Sequence, residues 1–244
     1  MQTQVKICGI TSSEDALFAA EAGANLLGYI FYPPSKRFIA PRNAAQIARQ
    51  VRTAFPEVRQ VGVFVDEEPS NIAWTMNLVG LDLAQLHGRE SDAHCRELEM
   101  LGVRCVKTIG IGTDGPLVDF RKYDCDFFLC DTHDESLKGG TGRQFDLPRI
   151  PGGIKHDKLF VAGGLTPENV AELLLQMRPY AVDVSSGVEI KPGVKSHRRI
   201  KEFIEQVRRA IRSDWQQTES LFTIPAAANI IETENEESQP GHVS

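Results

Sequence analysis

Four side chains of this 244-residue chain have the chemistry of an acid–base site: the thiol of Cys8, the carboxyl of Asp131, the guanidinium of Arg37 and the imidazole of His87. An ordinary thiol, with a pKa of ~8.5, is only a few per cent ionised at pH 7, so Cys8 needs help to act as a base. Its setting promises some. Gly9 follows it, and Thr11 with Glu14 fits a capping box, which predicts a helix whose N-terminal dipole favours the thiolate. Asp131 closes the apolar run Phe127-Phe-Leu-Cys130, and a carboxyl emerging beside buried surface favours its protonated form, as a general acid requires. A carboxylate capping the following loop is the equal alternative. Arg37 ends Tyr32-Pro-Pro-Ser-Lys36-Arg37, a segment stiffened by two prolines, where a guanidinium can grip a carboxylate bidentately or simply solubilise the surface. His87 reads either as a ligand contact or as a hydrogen-bonded structural histidine.

Two glycine-containing turns add an anion site. Phe160-Val-Ala-Gly163-Gly164 and Val182-Asp-Val-Ser185-Ser186-Gly187 both end apolar runs. Glycines there let backbone N–H groups approach a phosphate, and a short helix starting near Gly187 would add its positive end. The plain alternative is a tight turn between strand and helix. Lys6, Gln85 and Asp183 each lie two residues before a site candidate (Cys8, His87, Ser185), so strand alternation points them the same way. A buried Lys and a buried Asp are costly unless paired, which predicts that Lys6 meets Asp183.

The elements that must carry these residues alternate along the chain. Predicted strands are Val5–Ile10, Leu26–Phe31, Val61–Val65, Leu83–Leu86, Arg104–Thr108, Phe127–Asp131, Phe160–Ala162 and Val182–Ser185. Predicted helices are Glu14–Ala22, Ala44–Ala54, Asn71–Leu78, Asp92–Leu101, Glu168–Met177 and His197–Arg212, with weaker ones near Pro116–Arg121 and Leu147–Ile150. Ser91 and Thr166-Pro167 read as helix starts, and Gly23 and Gly102 as C-terminal caps. Eight strand–helix units without a long linker predict one closed (β/α)8 TIM barrel over 1–212, with chemistry at the C-terminal ends of the strands. An open doubly wound sheet is the alternative, but no G-x-G-x-x-G follows a predicted strand. The segment Lys138-Gly-Gly-Thr-Gly142 reads as a cover over a ligand or a long surface loop.

Composition narrows the function classes. From Ser213 onward there are six acids and no Lys or Arg, so with 27 basic and 33 acidic residues in all, the body over 1–212 is neutral. That gives no electrostatic reason to expect nucleic-acid binding. The extension 213–244 is acidic, polar and predicted to be disordered. No apolar run approaches the ~20 residues a membrane span needs, and the N-terminus lacks signal-peptide features, which points to the cytoplasm. Five cysteines without CxxC spacing and six histidines without an H-x-x-x-H pair predict neither a disulfide framework nor a metal site.

These residues stand in blocks that resemble the phosphoribosylanthranilate isomerase family. The blocks are Val5-Lys-Ile-Cys-Gly-Ile-Thr11, Gly28-Tyr-Ile-Phe-Tyr32 with Ser35-Lys-Arg37, Val61-Gly-Val-Phe-Val65, Gln85-Leu-His-Gly88, Gly139-Gly-Thr-Gly142 with Phe145-Asp146, Ala162-Gly-Gly-Leu165, and Asp183-Val-Ser-Ser-Gly-Val-Glu189 with Pro192-Gly193. The resemblance implies a (β/α)8 barrel that performs an Amadori rearrangement of a phosphosugar in tryptophan biosynthesis without a cofactor. It implies Asp131 as general acid, Cys8 as general base, Arg37 on the anthranilate carboxylate, and Gly163, Gly164, Ser185, Ser186 and Gly187 around the phosphate. His87 and Asp183 join the substrate-binding set. Leu147 departs from the family's Trp, and Ser196 from its common acidic residue. A histidine-pathway sugar isomerase and an inactive phosphosugar-binding barrel are the competing functions. The expected partner is the small-molecule substrate, on a monomer or homodimer, with no nucleic acid or membrane.

Overall fold

The computed structural model describes residues 2–110, 120–131 and 154–222. Eight parallel strands close into a barrel in chain order: β1 (Gln4–Cys8), β2 (Leu26–Ile30), β3 (Arg59–Phe64), β4 (Leu83–Leu86), β5 (Cys105–Gly110), β6 (Phe127–Asp131), β7 (Leu159–Ala162) and β8 (Ala181–Val184). Closure comes from β1 pairing with β8, with Lys6 opposite Asp183. Strands buried on both faces are rich in apolar residues, and here Lys6, Gln60, Gln85, Lys107 and Asp183 are buried polar exceptions within them. On β2, Leu26 packs inside the barrel with Val61, Leu83, Val106, Leu129 and Phe160. Its neighbours Leu27 and Tyr29 face the layer between barrel and helices.

Six α-helices are described: α1 (Ser13–Ala22), α2 (Pro41–Ala54), α3 (Pro69–Val79), α4 (Asp92–Met100), α5 (Val170–Gln176) and α6 (His197–Phe222). Among the described residues none is long and apolar enough to cross a membrane. Gly23 ends α1 with φ 108°, and Gly102 follows α4 at φ 74°, as their predicted capping roles require. Ser91 caps α4, accepting from the His94 N–H.

Several expectations need correction. The N-cap of α1 is Ser12, which accepts from the Asp15 N–H, because the Thr11 hydroxyl instead donates to the Gly193 carbonyl. Thr166-Pro167 opens a turn rather than α5 itself, with the Thr166 side chain accepting from the Glu168 N–H. In place of a helix near Gly187 there is one 3-10 turn, Ser186–Val188, and then a hairpin of β9 (Glu189–Lys191) and β10 (Val194–Lys195). Of the element predicted near Pro116–Arg121, residues 116–119 lie outside the described residues, and Phe120–Lys122 form a 3-10 turn. Helix α6 continues past Arg212 to Phe222. The helix predicted near Leu147–Ile150, the Lys138–Gly142 segment and residues 223–244 lie outside the described residues.

Candidate active site

The C-terminal ends of the strands enclose a cavity of about 440 Å³, within the usual range for a small-molecule site. Cys8, Arg37, His87, Asp131, Gly163, Gly164, Asp183, Ser185 and Ser186 all line it. The structure thus brings together every predicted site residue except Gly187. That glycine acts from behind: a Cβ on it would sit 1.9 Å from the Leu165 carbonyl oxygen. Its bare backbone lets the β8 turn close against the β7 turn, where Gly163 and Gly164 adopt φ of 94° and 65°. Ser185 Oγ is buried and has no hydrogen-bond partner among the described residues, so a donor stands ready in the turns assigned to phosphate.

Cys8 ends β1, with its thiol in the barrel mouth. A Cβ on Gly28 of β2 would come within 2.7 Å of Cys8 Sγ, so this glycine makes room for the thiol. The expected help from the α1 dipole does not decide its ionisation. Burial pushes the Cys8 thiol up and Asp183 adds to the rise, against the opposing pull of Lys6 and Lys195.

Lys6 is fully buried and donates to Asp183 Oδ2 at 2.7 Å and to Gln85 Oε1 at 2.6 Å, which bears out the predicted pair across the β1–β8 seam. Burial opposes its charge, but Asp183 and Cys8 together more than offset that and hold the ammonium above its usual range. The second oxygen of Asp183, Oδ1, is buried without a hydrogen-bond partner among the described residues. Asp131 ends β6 on the far arc of the barrel, where its Oδ2 lies 3.5 Å from His87 Nε2. Its Oδ1 also has no partner among the described residues. Partial withdrawal from solvent lowers the His87 ring below its usual value, although Asp131 pulls the other way.

Arg37 is not waiting empty-handed for a carboxylate. Its Nε and Nη2 form a fork onto Glu189 at 2.8 and 2.6 Å, and Lys195 reaches the same carboxylate at 2.9 Å. Against the cost of burial, these two cations hold Glu189 below the ordinary carboxylate range. Lys195 also donates to the carbonyls of Cys8 and Ser185, tying the β9–β10 hairpin to the ends of β1 and β8. Sequence reasoning did not find Lys195, Gly28 or the structural role of Glu189. Gly28 and Glu189 left a signal, since both stand in runs already singled out, whereas Lys195 left none. Elsewhere, burial pushes the thiols of Cys105 and Cys130 up to about 12, and what sets Cys8 apart from them is its place in the cavity lining.

The comparisons decide the family. Residues 5–206 match the family model described as N-(5'phosphoribosyl)anthranilate (PRA) isomerase. The chain belongs to that family. The N-(5'-phosphoribosyl)anthranilate isomerase of Geobacter sp. (strain M21) is 41% identical over 207 residues, covering 85% of this chain and 98% of that protein. The Thermotoga maritima isomerase is 42% identical over 209 residues, with 84% and 98% covered. Its crystal structure superposes with a TM-score of 0.70 at 39% identity, covering 85% of this chain and all of that one. A phosphoribosyl anthranilate isomerase bound to reduced 1-(o-carboxyphenylamino)-1-deoxyribulose 5-phosphate gives a TM-score of 0.68, again at 39% identity, with 85% and 100% covered. Like its relatives, this phosphoribosylanthranilate isomerase family member is an isomerase of tryptophan biosynthesis. The alternatives, a histidine-pathway isomerase and an inactive barrel, find no support in these relatives.

Proposed function

We propose that the chain converts N-(5'-phosphoribosyl)anthranilate to 1-(2-carboxyphenylamino)-1-deoxyribulose 5-phosphate, with Asp131 as general acid and Cys8 as general base. The observation that carries this assignment is that a carboxyl from β6 and a thiol from β1 face one cavity from opposite arcs, with the Gly163-Gly164 and Ser185-Ser186 turns on its rim. The chemistry asks for that separation. Asp131 gives a proton to the furanose ring oxygen as the C1–O bond breaks and the anthranilate nitrogen lone pair forms the iminium. Cys8 then takes the C2 proton; the C2–H electron pair forms the C1=C2 double bond as the iminium π pair returns to nitrogen, and the resulting enolamine becomes the ketone as its C2 hydroxyl loses a proton and C1 gains one.

Each group has support suited to its task. Lys6 and Lys195, which pull the thiol toward ionisation, are the cations that stabilise the Cys8 thiolate when it forms. Asp183, next to Lys6, carries an oxygen with no hydrogen-bond partner among the described residues, which is available to a sugar hydroxyl in the same cavity. Ser185 Oγ and the backbone of the two turns hold the phosphate, and Gly187 keeps those turns close enough to act together. Arg37, fixed by Glu189, keeps its remaining N–H groups for the anthranilate carboxylate. No cofactor takes part. The barrel is the catalytic unit and the 213–244 extension stands outside the reaction; a cytoplasmic setting suits such a biosynthetic step.

The test is an assay of purified protein with freshly prepared phosphoribosylanthranilate, alongside Cys8→Ala and Asp131→Asn. Acid or base help is worth about 10²–10⁴-fold, so each variant is expected to lose that much in kcat. Variants that keep wild-type rates would overturn the residue assignment, and an inactive wild type would overturn the function.

A further inference from the structure

We infer that Lys6 and Gln85 are positioning residues that fix the tautomer of His87 and so aim an Nε2–H at the Asp131 carboxyl. The Lys6 ammonium has three N–H donors and no acceptor. The Gln85 atom 2.6 Å from it must therefore be the amide oxygen, Oε1. That choice turns the amide nitrogen the other way, 3.1 Å from His87 Nδ1. An amide NH2 can only donate, so Nδ1 must accept, and the proton of the neutral ring is left on Nε2. The Thr108 hydroxyl, 3.2 Å from the same Nδ1, can donate there too. Nε2 is the atom nearest Asp131, 3.5 Å from its Oδ2.

The chain of contacts runs from the base side of the cavity to the acid side. Asp183 and Lys6 stand beside Cys8, Gln85 crosses the barrel interior on β4, and His87 meets Asp131 of β6. The charged groups facing the His87 ring are Asp131 from β6, Lys6 from β1, Asp183 from β8 and Glu90 from the loop after β4. A neutral ring in this one tautomer orients the Asp131 carboxyl before proton transfer, and its N–H donates to the carboxylate afterwards. The opposite tautomer would set a lone pair against that carboxylate. The inference deepens the proposed function and rests on Asp131 being the acid. Each donor–acceptor choice along this chain of contacts is forced by the one before it.

Gln85→Glu separates this role from simple packing. A carboxylate of the same shape keeps the Lys6 contact but can only accept from His87, which moves a proton to Nδ1. A merely structural role tolerates that change, since a buried Lys gains a second anionic partner. The expected result is a kcat loss of about tenfold or more, with KM within about twofold of wild type. In 15N-histidine NMR, the wild-type His87 resonances should carry the Nε2–H signature, and the variant should shift to an Nδ1-protonated ring. Wild-type protein with the proton on Nδ1 overturns the proposal directly, without reference to any variant. So does Gln85→Glu with a shifted tautomer and an unchanged kcat. Asp131→Asn retaining wild-type rate would instead remove the acid assignment on which the proposal rests, while the tautomer measurement would stand.

Discussion

Glu189 links most of the fixed charges on the Arg37 side of the cavity, taking both Arg37 and Lys195 while its own side chain is almost fully buried. Removing one partner from a buried ion pair typically costs about 3–5 kcal/mol, because the remaining charges keep their desolvation penalty. Glu189→Gln, which strands two cations, is expected to lose stability on that order at pH 7, measured by urea unfolding. The pH dependence follows from its lowered folded value. Folded Glu189 binds its proton less tightly than the unfolded chain does. Its contribution is therefore fully present above the ordinary carboxylate value of 4.5 and disappears as pH falls through the lowered folded value. Wild type and Glu189→Gln should converge in stability in that acid window. An unchanged gap there would mean that the Arg37–Glu189–Lys195 contacts contribute no linked stability. Cys8 teaches a related point. Proximity to a helix start predicts an easily ionised thiol, whereas burial in the barrel mouth outweighs it and drives the thiol up.

Among the elements, the long periodic ones and their strand ends were legible because burial on both faces leaves a continuous apolar signature. Leu83–Leu86 and Phe127–Asp131 match their predicted bounds, and the alternation within β1 and β8 correctly set Lys6 against Asp183. The β9–β10 hairpin was not legible. Its strands are three and two residues long, and Ile190 faces solvent, so no period-2 pattern marks them. Yet it delivers Glu189 and Lys195 to the site. The β1–β8 seam makes a sharper prediction. Lys6→Met leaves Asp183 buried without its cation, and is expected to lower unfolding stability by about 3–5 kcal/mol, read from the urea midpoint. A loss below about 1 kcal/mol would show that the seam does not depend on this pair.

For the whole molecule, the family match ends at Val207's neighbour, residue 206, and relatives of about this barrel's length align over nearly their full extent. The match thus spans all eight strands of the barrel and stops within α6, which itself runs to Phe222. A chain truncated after Phe222, which keeps the whole helix, is expected to retain kcat/KM within about twofold and an unchanged melting temperature. Loss of activity would assign the 223–244 segment a part in the reaction. Truncation at Arg212 is a different experiment, because it cuts a helix.

The sequence by itself determined the alternation of strand and helix, the residues at each strand end and the pairing of a buried Lys with a buried Asp. Those features follow from local period and from the cost of an unpaired buried charge, both readable along one dimension. Tertiary structure alone decided what each group does in company. It put Glu189 between Arg37 and Lys195, buried the Cys8 thiol against the pull of a helix end, and aligned Lys6, Gln85 and His87 so that each fixes the next. Such outcomes depend on distances between side chains far apart in the chain, and on how much water the closed barrel excludes.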